Sequence, residues 1–277
     1  EGPFPGIVMA GGWCYVKELI QPQYAQYFID AGFAVLIFDY RRMGGSTGSP
    51  RQHLNPNDQQ EDYKAAITFL QRQDDVDADR IGIWGISYSG GHVLSVGASD
   101  PRVKCIVSNI PVVDGYYTMK AAHGSLAFRS LMTRIVEDRA LQLDSGEYGR
   151  MDMSGDPSTG LHTWPFPEVR PVFEQLKAAS APAHEHWNTV ASVDQLLGYT
   201  VFPYVPRILN TPTLMIVAEG DDITMWDREI AAFNAIPTVK KKLFIVGDTT
   251  HMTLYSDMSR LEIAARQATD WFNGHLK

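Results

Sequence analysis

The stretch 80–91 reads as a strand that runs into Gly85-x-Ser87-x-Ser89-Gly90 and then into a helix. A serine at the tip of a sharp strand-to-helix turn projects its hydroxyl off the sheet, and small residues two positions to either side let the backbone fold back. Ser89 stands where such turns commonly carry a second glycine, with Gly90 and Gly91 behind it. A serine hydroxyl is a poor nucleophile at neutral pH. It needs a base within hydrogen-bond reach and a third group that fixes the base's tautomer. Both types follow in the order acid, then histidine. Thr213–Ala218 reads as a strand that ends in Glu219-Gly220-Asp221-Asp222, which sets carboxylates just past a strand's C-terminal end, where parallel sheets gather their ligand chemistry. Asp221 is the chosen acid, ahead of Asp222 and Glu219; the competing role for each is a solvated turn or a helix cap. His251 follows a strand at 242–246 and precedes the last helix, and the other seven histidines lack that placement. Acyl transfer also needs two donors for an oxyanion. The amide of Tyr88, next to the serine, is one candidate. The amide of Trp13, after Gly11 and Gly12, is the other, with a plain Gly-Gly turn as the alternative.

Short apolar runs alternating with helical periodicity must position these residues, and that rhythm implies βαβ units and a mainly parallel sheet. Strands are expected at 6–10, 34–39, 80–84, 103–108, Thr213–Ala218 and 242–246. Helices are expected from Pro22 to Gly32, over 56–73 behind an Asn55 cap, from the serine turn to Ser99, over 225–236 and over 258–274. From Pro111 to Leu209 the rhythm breaks, and helices are expected only at 125–143 and 170–179. The division is therefore a core of residues 1–110 and 210–277 with a largely helical insertion at 111–209.

The 277 residues suffice for one large α/β domain with such an insertion. A net charge of −8, with Lys240–Lys242 as the one basic cluster, argues against nucleic acid as a partner. The longest apolar runs fall far short of the roughly 20 residues that cross a bilayer, so no membrane association is expected. Two cysteines, Cys14 and Cys105, make no disulfide framework, and a cytoplasmic location is the default. The His184-x-His186 pair lacks a further Cys, His or carboxylate at ligand spacing, so no metal is expected. Gly44–Gly48 lacks the lysine of a phosphate-binding loop, and no cofactor is expected.

With these residues in view, the chain resembles the α/β-hydrolase superfamily over nearly its whole length, and within it the branch of dienelactone hydrolases and acetyl xylan esterases. Asp39-Tyr-Arg-Arg-Met-Gly-Gly-Ser-Thr-Gly48 is similar to that branch's D-Y-R-G-x-G-x-S-x-G loop, departing at Arg42 where the pattern has glycine. Fungal polyketide transferases and thiohydrolases share this neighbourhood. The resemblance implies a serine hydrolase that cleaves an ester, lactone or thioester of a small acyl substrate through an acyl-serine intermediate. Two alternatives stand beside it: an acyltransferase on the same triad, and a non-catalytic ligand-binding homologue. It also implies that 111–209 is a lid, with Tyr116, Tyr117, Phe128, Met132, Trp164, Trp187, Tyr199 and Phe202 as candidates for an acyl pocket. Packing within the lid is the competing role for each. The family's first strands precede the one at 6–10, and their absence here would expose a sheet edge and favour a homodimer.

Overall fold

Strands buried on both faces read as near-continuous apolar runs, and helices must cover them. A computed structural model describes residues 2–277. In chain order the elements are β1 (Phe4–Ala10), α1 (Gln21–Asp30), β2 (Ala34–Ile37), α2 (Pro56–Leu70), β3 (Val76–Ile86), α3 (Tyr88–Ser99), β4 (Val103–Asn109), α4 (Gly115–Ser145), β5 (Arg150–Asp152), α5 (Val169–Ala179), β6 (Trp187–Thr189), α6 (Val190–Leu197), β7 (Thr213–Ala218), α7 (Trp226–Ala235), β8 (Lys241–Val246), α8 (Thr253–Ser256) and α9 (Met258–Leu276). Six strands form one parallel sheet in the order β2-β1-β3-β4-β7-β8. Helix α1 packs with α9, and α2 with α3, giving the two covering layers. The chain thus has the α/β-hydrolase architecture, a mainly parallel sheet flanked by helices.

Close helix-on-sheet contact has local causes. A Cβ on Gly82 of β3 would lie 2.8 Å from Phe272 and Leu276 of α9, and one on Gly97 of α3 would lie 2.2 Å from Ile106 of β4. Glycine at these two positions lets helix and strand backbones approach. Helix α2 starts where Asn55 Oδ1 accepts the amides of Asn57 and Asp58, with Pro56 pre-set in the first turn.

Between β4 and β7 the segment is largely helical, as expected, with differences in detail. The helix expected at 125–143 begins ten residues earlier, at Gly115, capped by Asp114 Oδ1 on the Tyr117 amide, and bends at Gly124, whose φ is 63°. The two short strands β5 and β6, unanticipated in the sequence, pair antiparallel with Arg150 opposite Thr189. Three residues leave too little alternation for a period to be read. The expected strand at 80–84 extends to Val76–Ile86, and that at 34–39 ends at Ile37. Among the described residues, no helix is long and apolar enough to cross a membrane.

Candidate active site

Ser87, at the turn between β3 and α3, has φ 58° and ψ −121°, a conformation that L-residues avoid. Its neighbours impose it. A Cβ on Gly85 would lie 2.3 Å from the Ser89 carbonyl oxygen, and one on Gly91 2.1 Å from that of Val112. The Ser87 amide donates to Asn109 O at 2.9 Å, and the Ser87 carbonyl accepts the Val112 amide at 3.0 Å, stitching the turn to the end of β4. Ser89 is more than a small substitute for glycine. Tyr63 donates its one hydroxyl proton to Trp84 O at 2.7 Å and accepts from the Ala10 amide at 3.0 Å, so the Ser89 hydroxyl, 2.8 Å away, is a donor to it. Tyr63, which the sequence did not single out, thereby joins the ends of β1 and β3 to the turn.

The acidic cluster after β7 sorts by burial. Asp222 and Glu219 are exposed, and Glu219 Oε2 accepts the Asp248 amide. Asp221 is 1% exposed; its Oδ1 accepts the amides of Ile223 and Thr224 at 2.9 and 3.0 Å, and its Oδ2 lies 2.7 Å from His251 Nδ1. Burial pushes the Asp221 carboxyl up. The charge and hydrogen bond of His251, with the Thr224 contacts, outweigh that and hold it below the usual carboxylate range. An ionised Asp221 only accepts, so His251 Nδ1 carries a proton, and in the neutral ring Nε2 then presents a lone pair. The Thr224 hydroxyl donates to Glu229 Oε1 at 3.0 Å, and burial, then the nearby Asp221, push the Glu229 carboxyl well up.

The loop after β1 runs against the serine. A Cβ on Gly12 would come within 2.9 Å of Ser87 Cβ and 3.3 Å of its Oγ. Among the described residues, the amides of Trp13 and Tyr88 donate to no protein acceptor. The Trp13 ring is fixed by an Nε1 hydrogen bond to Asn188 Oδ1 at 2.9 Å and by edge contacts with Tyr88 and Trp164.

Ser87 and His251 line one cavity together with Trp13, Tyr15, Met153, Trp164, Val169, Phe173, Ile223, Met252 and Tyr255. Ser87 is 8% exposed and His251 3%. The nearest hydrogen-bonding partner of His251 Nε2 is the Tyr255 hydroxyl at 3.5 Å; among the described residues, no hydrogen bond joins it to Ser87 Oγ. Such bonds are often long in unliganded sites and tighten with substrate. Among the described residues, no Asp or Glu lines the cavity.

Of the aromatic residues proposed for the pocket, Trp164 lines this cavity. Tyr116 is exposed and packs on Phe128. Tyr117 donates its hydroxyl to Asp227, and its ring and that of Phe202 both face the Arg228 guanidinium. Trp187 lies under Arg150 beside a separate groove. Tyr199 is buried behind the serine turn, with its hydroxyl 3.1 Å from His92 Nδ1 and its ring against Tyr88. Tyr15, Met153, Val169, Phe173 and Ile223 carry no spacing that sets them apart from core residues. Tyr255, four places past His251, was reachable from helical spacing, and Met252 simply adjoins the histidine in sequence.

Three comparisons bear on this geometry. The model of the family described as X-Pro dipeptidyl-peptidase (S15 family) matches residues 1–253. The acyltransferase drtE of Aspergillus calidoustus is 27% identical over 97% of this chain and 86% of its own length, and the thiohydrolase aneE of Aspergillus aculeatus is 28% identical over 87% and 77%. Among solved structures, that of DcsB in complex with its substrate analogue superposes with a TM-score of 0.86 at 24% identity, covering 100% of this chain and 92% of that one. At that identity the superposition speaks for the fold alone.

Proposed function

Because the chain belongs to the X-Pro dipeptidyl-peptidase (S15) family of α/β-hydrolases, we propose that it is a serine hydrolase acting on carboxylic ester, lactone or thioester bonds through an acyl-Ser87 intermediate. Its main support is that Ser87 and His251 line one apolar cavity, with the Asp221 carboxylate 2.7 Å behind the imidazole. In this reading Ser87 Oγ attacks the substrate carbonyl carbon as His251 Nε2 takes its proton, and Asp221 holds Nδ1–H and balances the imidazolium. The amides of Tyr88 and Trp13 receive the oxyanion. The leaving alkoxide or thiolate takes the proton from His251, and the C–O or C–S bond breaks. Water then attacks the acyl-serine as His251 again takes a proton, the acyl–Oγ bond breaks, and His251 returns the proton to Ser87 Oγ as the carboxylic acid leaves.

The family's name raises peptide substrates, but an uncharged acyl group fits the site better. A dipeptidyl-peptidase must hold a substrate ammonium, and among the described residues no carboxylate lines the cavity. The relatives named acyltransferase and thiohydrolase point the same way. Residues 111–209 act as the lid in this proposal, supplying Met153, Trp164, Val169 and Phe173 to the acyl pocket. A second reading, acyl transfer to an alcohol or amine, is favoured by the near-complete burial of Ser87 and His251 among apolar side chains, which limits the water that reaches them.

The test is labelling with a fluorophosphonate, peptide mapping, and turnover of p-nitrophenyl and thioester acyl series with and without a competing alcohol. The expected result is label on Ser87 and no turnover by Ser87→Ala. Full turnover by that variant would overturn the proposal.

A further inference from the structure

His184 and His186, a pair that the proposed chemistry leaves unused, sit where the inserted segment meets the loop after β1. His184 Nδ1 lies 3.1 Å from the Cys14 carbonyl oxygen, and His184 Nε2 lies 3.2 Å from His186 Nδ1. His186 Nε2 lies 2.7 Å from Ser154 Oγ. A carbonyl only accepts, so His184 Nδ1 bears a proton. In the neutral ring Nε2 must then accept, which makes His186 Nδ1 a donor and His186 Nε2 an acceptor for the Ser154 hydroxyl. Every proton points the same way, from Ser154 through both rings to Cys14.

The surroundings favour that neutral state. Burial, then the charge of Lys177, drives His184 down to about 4 against the Cys14 bond and Glu185, which push the other way. Burial, His184 and Arg170 drive His186 down to about 3. Phe173, which lines the cavity, packs on both rings. Ser154 is fully buried, so its hydroxyl is not a second nucleophile.

The far end of the chain is what gives it consequence. Cys14 has φ 55°, a left-handed conformation that a non-glycine residue holds only where its surroundings over-determine it. Its carbonyl is held by His184 and its thiol donates to Trp187 O at 3.3 Å. The next residue back is Trp13, whose amide faces the serine in the proposed mechanism. We propose that Ser154, His186 and His184 are positioning residues that clamp Cys14 in its left-handed turn, and so aim the Trp13 amide at the oxyanion and tie that aim to the seating of the inserted segment. The catalytic half of this rests on the acyl-serine reading; the clamp does not.

His184→Ala removes the donor, whereas His184→Asn keeps an N–H close to the Nδ1 position. On p-nitrophenyl butyrate, His184→Ala should lose about 10²-fold in kcat with KM unchanged, the cost of a misaimed oxyanion donor. Binding of a trifluoromethyl ketone, whose adduct carries an oxyanion, should weaken in parallel, and His184→Asn should recover most of both. Hydrogen exchange across residues 11–15 should rise in His184→Ala and, less, in Ser154→Ala, the variant to use if circular dichroism finds the first unfolded. Unchanged exchange there overturns the clamp whatever the activity. Raised exchange with an unchanged kcat, or with a KM effect alone, overturns the oxyanion role. A wild-type protein inactive on every acyl substrate tells against the proposed function, and the exchange data still decide the clamp.

Discussion

Ser87 is held in a strained conformation that glycine would adopt freely, so replacing it with glycine should raise stability while removing the proposed nucleophile. Its φ of 58° and ψ of −121° are the mirror image of an extended conformation, and glycine enters mirror regions as readily as their counterparts. Strain of this kind costs about 1–3 kcal/mol in a residue with a Cβ. Glycine gives back about 0.5–1 kcal/mol through the greater freedom of the unfolded chain. Ser87→Gly should therefore be the more stable protein by about 1 kcal/mol, which raises the melting temperature by about 2–4 °C in a chain of this length. Ser87→Ala is the reference, since it drops the hydroxyl and keeps the strain. None of the described hydrogen bonds of His251 involves Ser87 Oγ, so the alanine variant should stay within about 0.5 kcal/mol of wild type. Urea unfolding followed by circular dichroism at neutral pH, beside thermal scans of all three proteins, measures this. A glycine variant no more stable than the alanine variant would refute the idea that the turn stores strain at the serine.

Asp221→Asn should cut kcat by about 10³–10⁴-fold, because an amide no longer compels Nδ1 to carry the proton, whereas the exposed Asp222→Asn should leave turnover unchanged. The reverse ranking would move the acid by one residue. Acid should weaken the fold through His92, which bonds Tyr199 and Gln59 and is driven by burial from 6.5 to about 3. Its folded pKa is the lower one, so below pH 6.5 the unfolded chain takes up a proton that the native protein refuses. Stability then falls with pH by up to about 1.4 kcal/mol per unit until the folded value is reached. Urea titrations at pH 6.5 and 5 should show wild type losing about 2 kcal/mol more than His92→Asn loses; equal losses would mean that His92 is not held neutral.

What was legible in the sequence is local, and what was not is assembled from distant segments. The serine turn announces itself because its constraint lies within a few residues: Gly85, Gly90 and Gly91 must lack side chains, since a Cβ on each would strike backbone. The order of acid and histidine is legible because parallel strands deliver their C-terminal ends to one edge of the sheet. Choosing Asp221 over Asp222 in the sequence rested on position alone, whereas the physical distinction is the burial of one carboxylate against His251. The Arg42 departure has a similar root. It takes φ 70° where the resembling pattern has glycine, so the backbone turn is kept although the residue best suited to it is not. The cavity lining is the opposite case. Tyr15, Met153, Phe173 and Tyr255 come from four separate segments, and large aromatic side chains between 111 and 209 are as well used for packing elsewhere, as Tyr199 is beneath the turn and Phe202 is beside Arg228. Position in the chain tells which loops reach the edge of the sheet. Which side chain of a helix or short strand then faces the serine depends on element orientation, which here hangs on the three-residue pair β5–β6 and its bonds to the loop after β1. A candidate nucleophile can therefore be read from a dozen residues, while the lining of the cavity beside it is written in contacts more than a hundred residues apart.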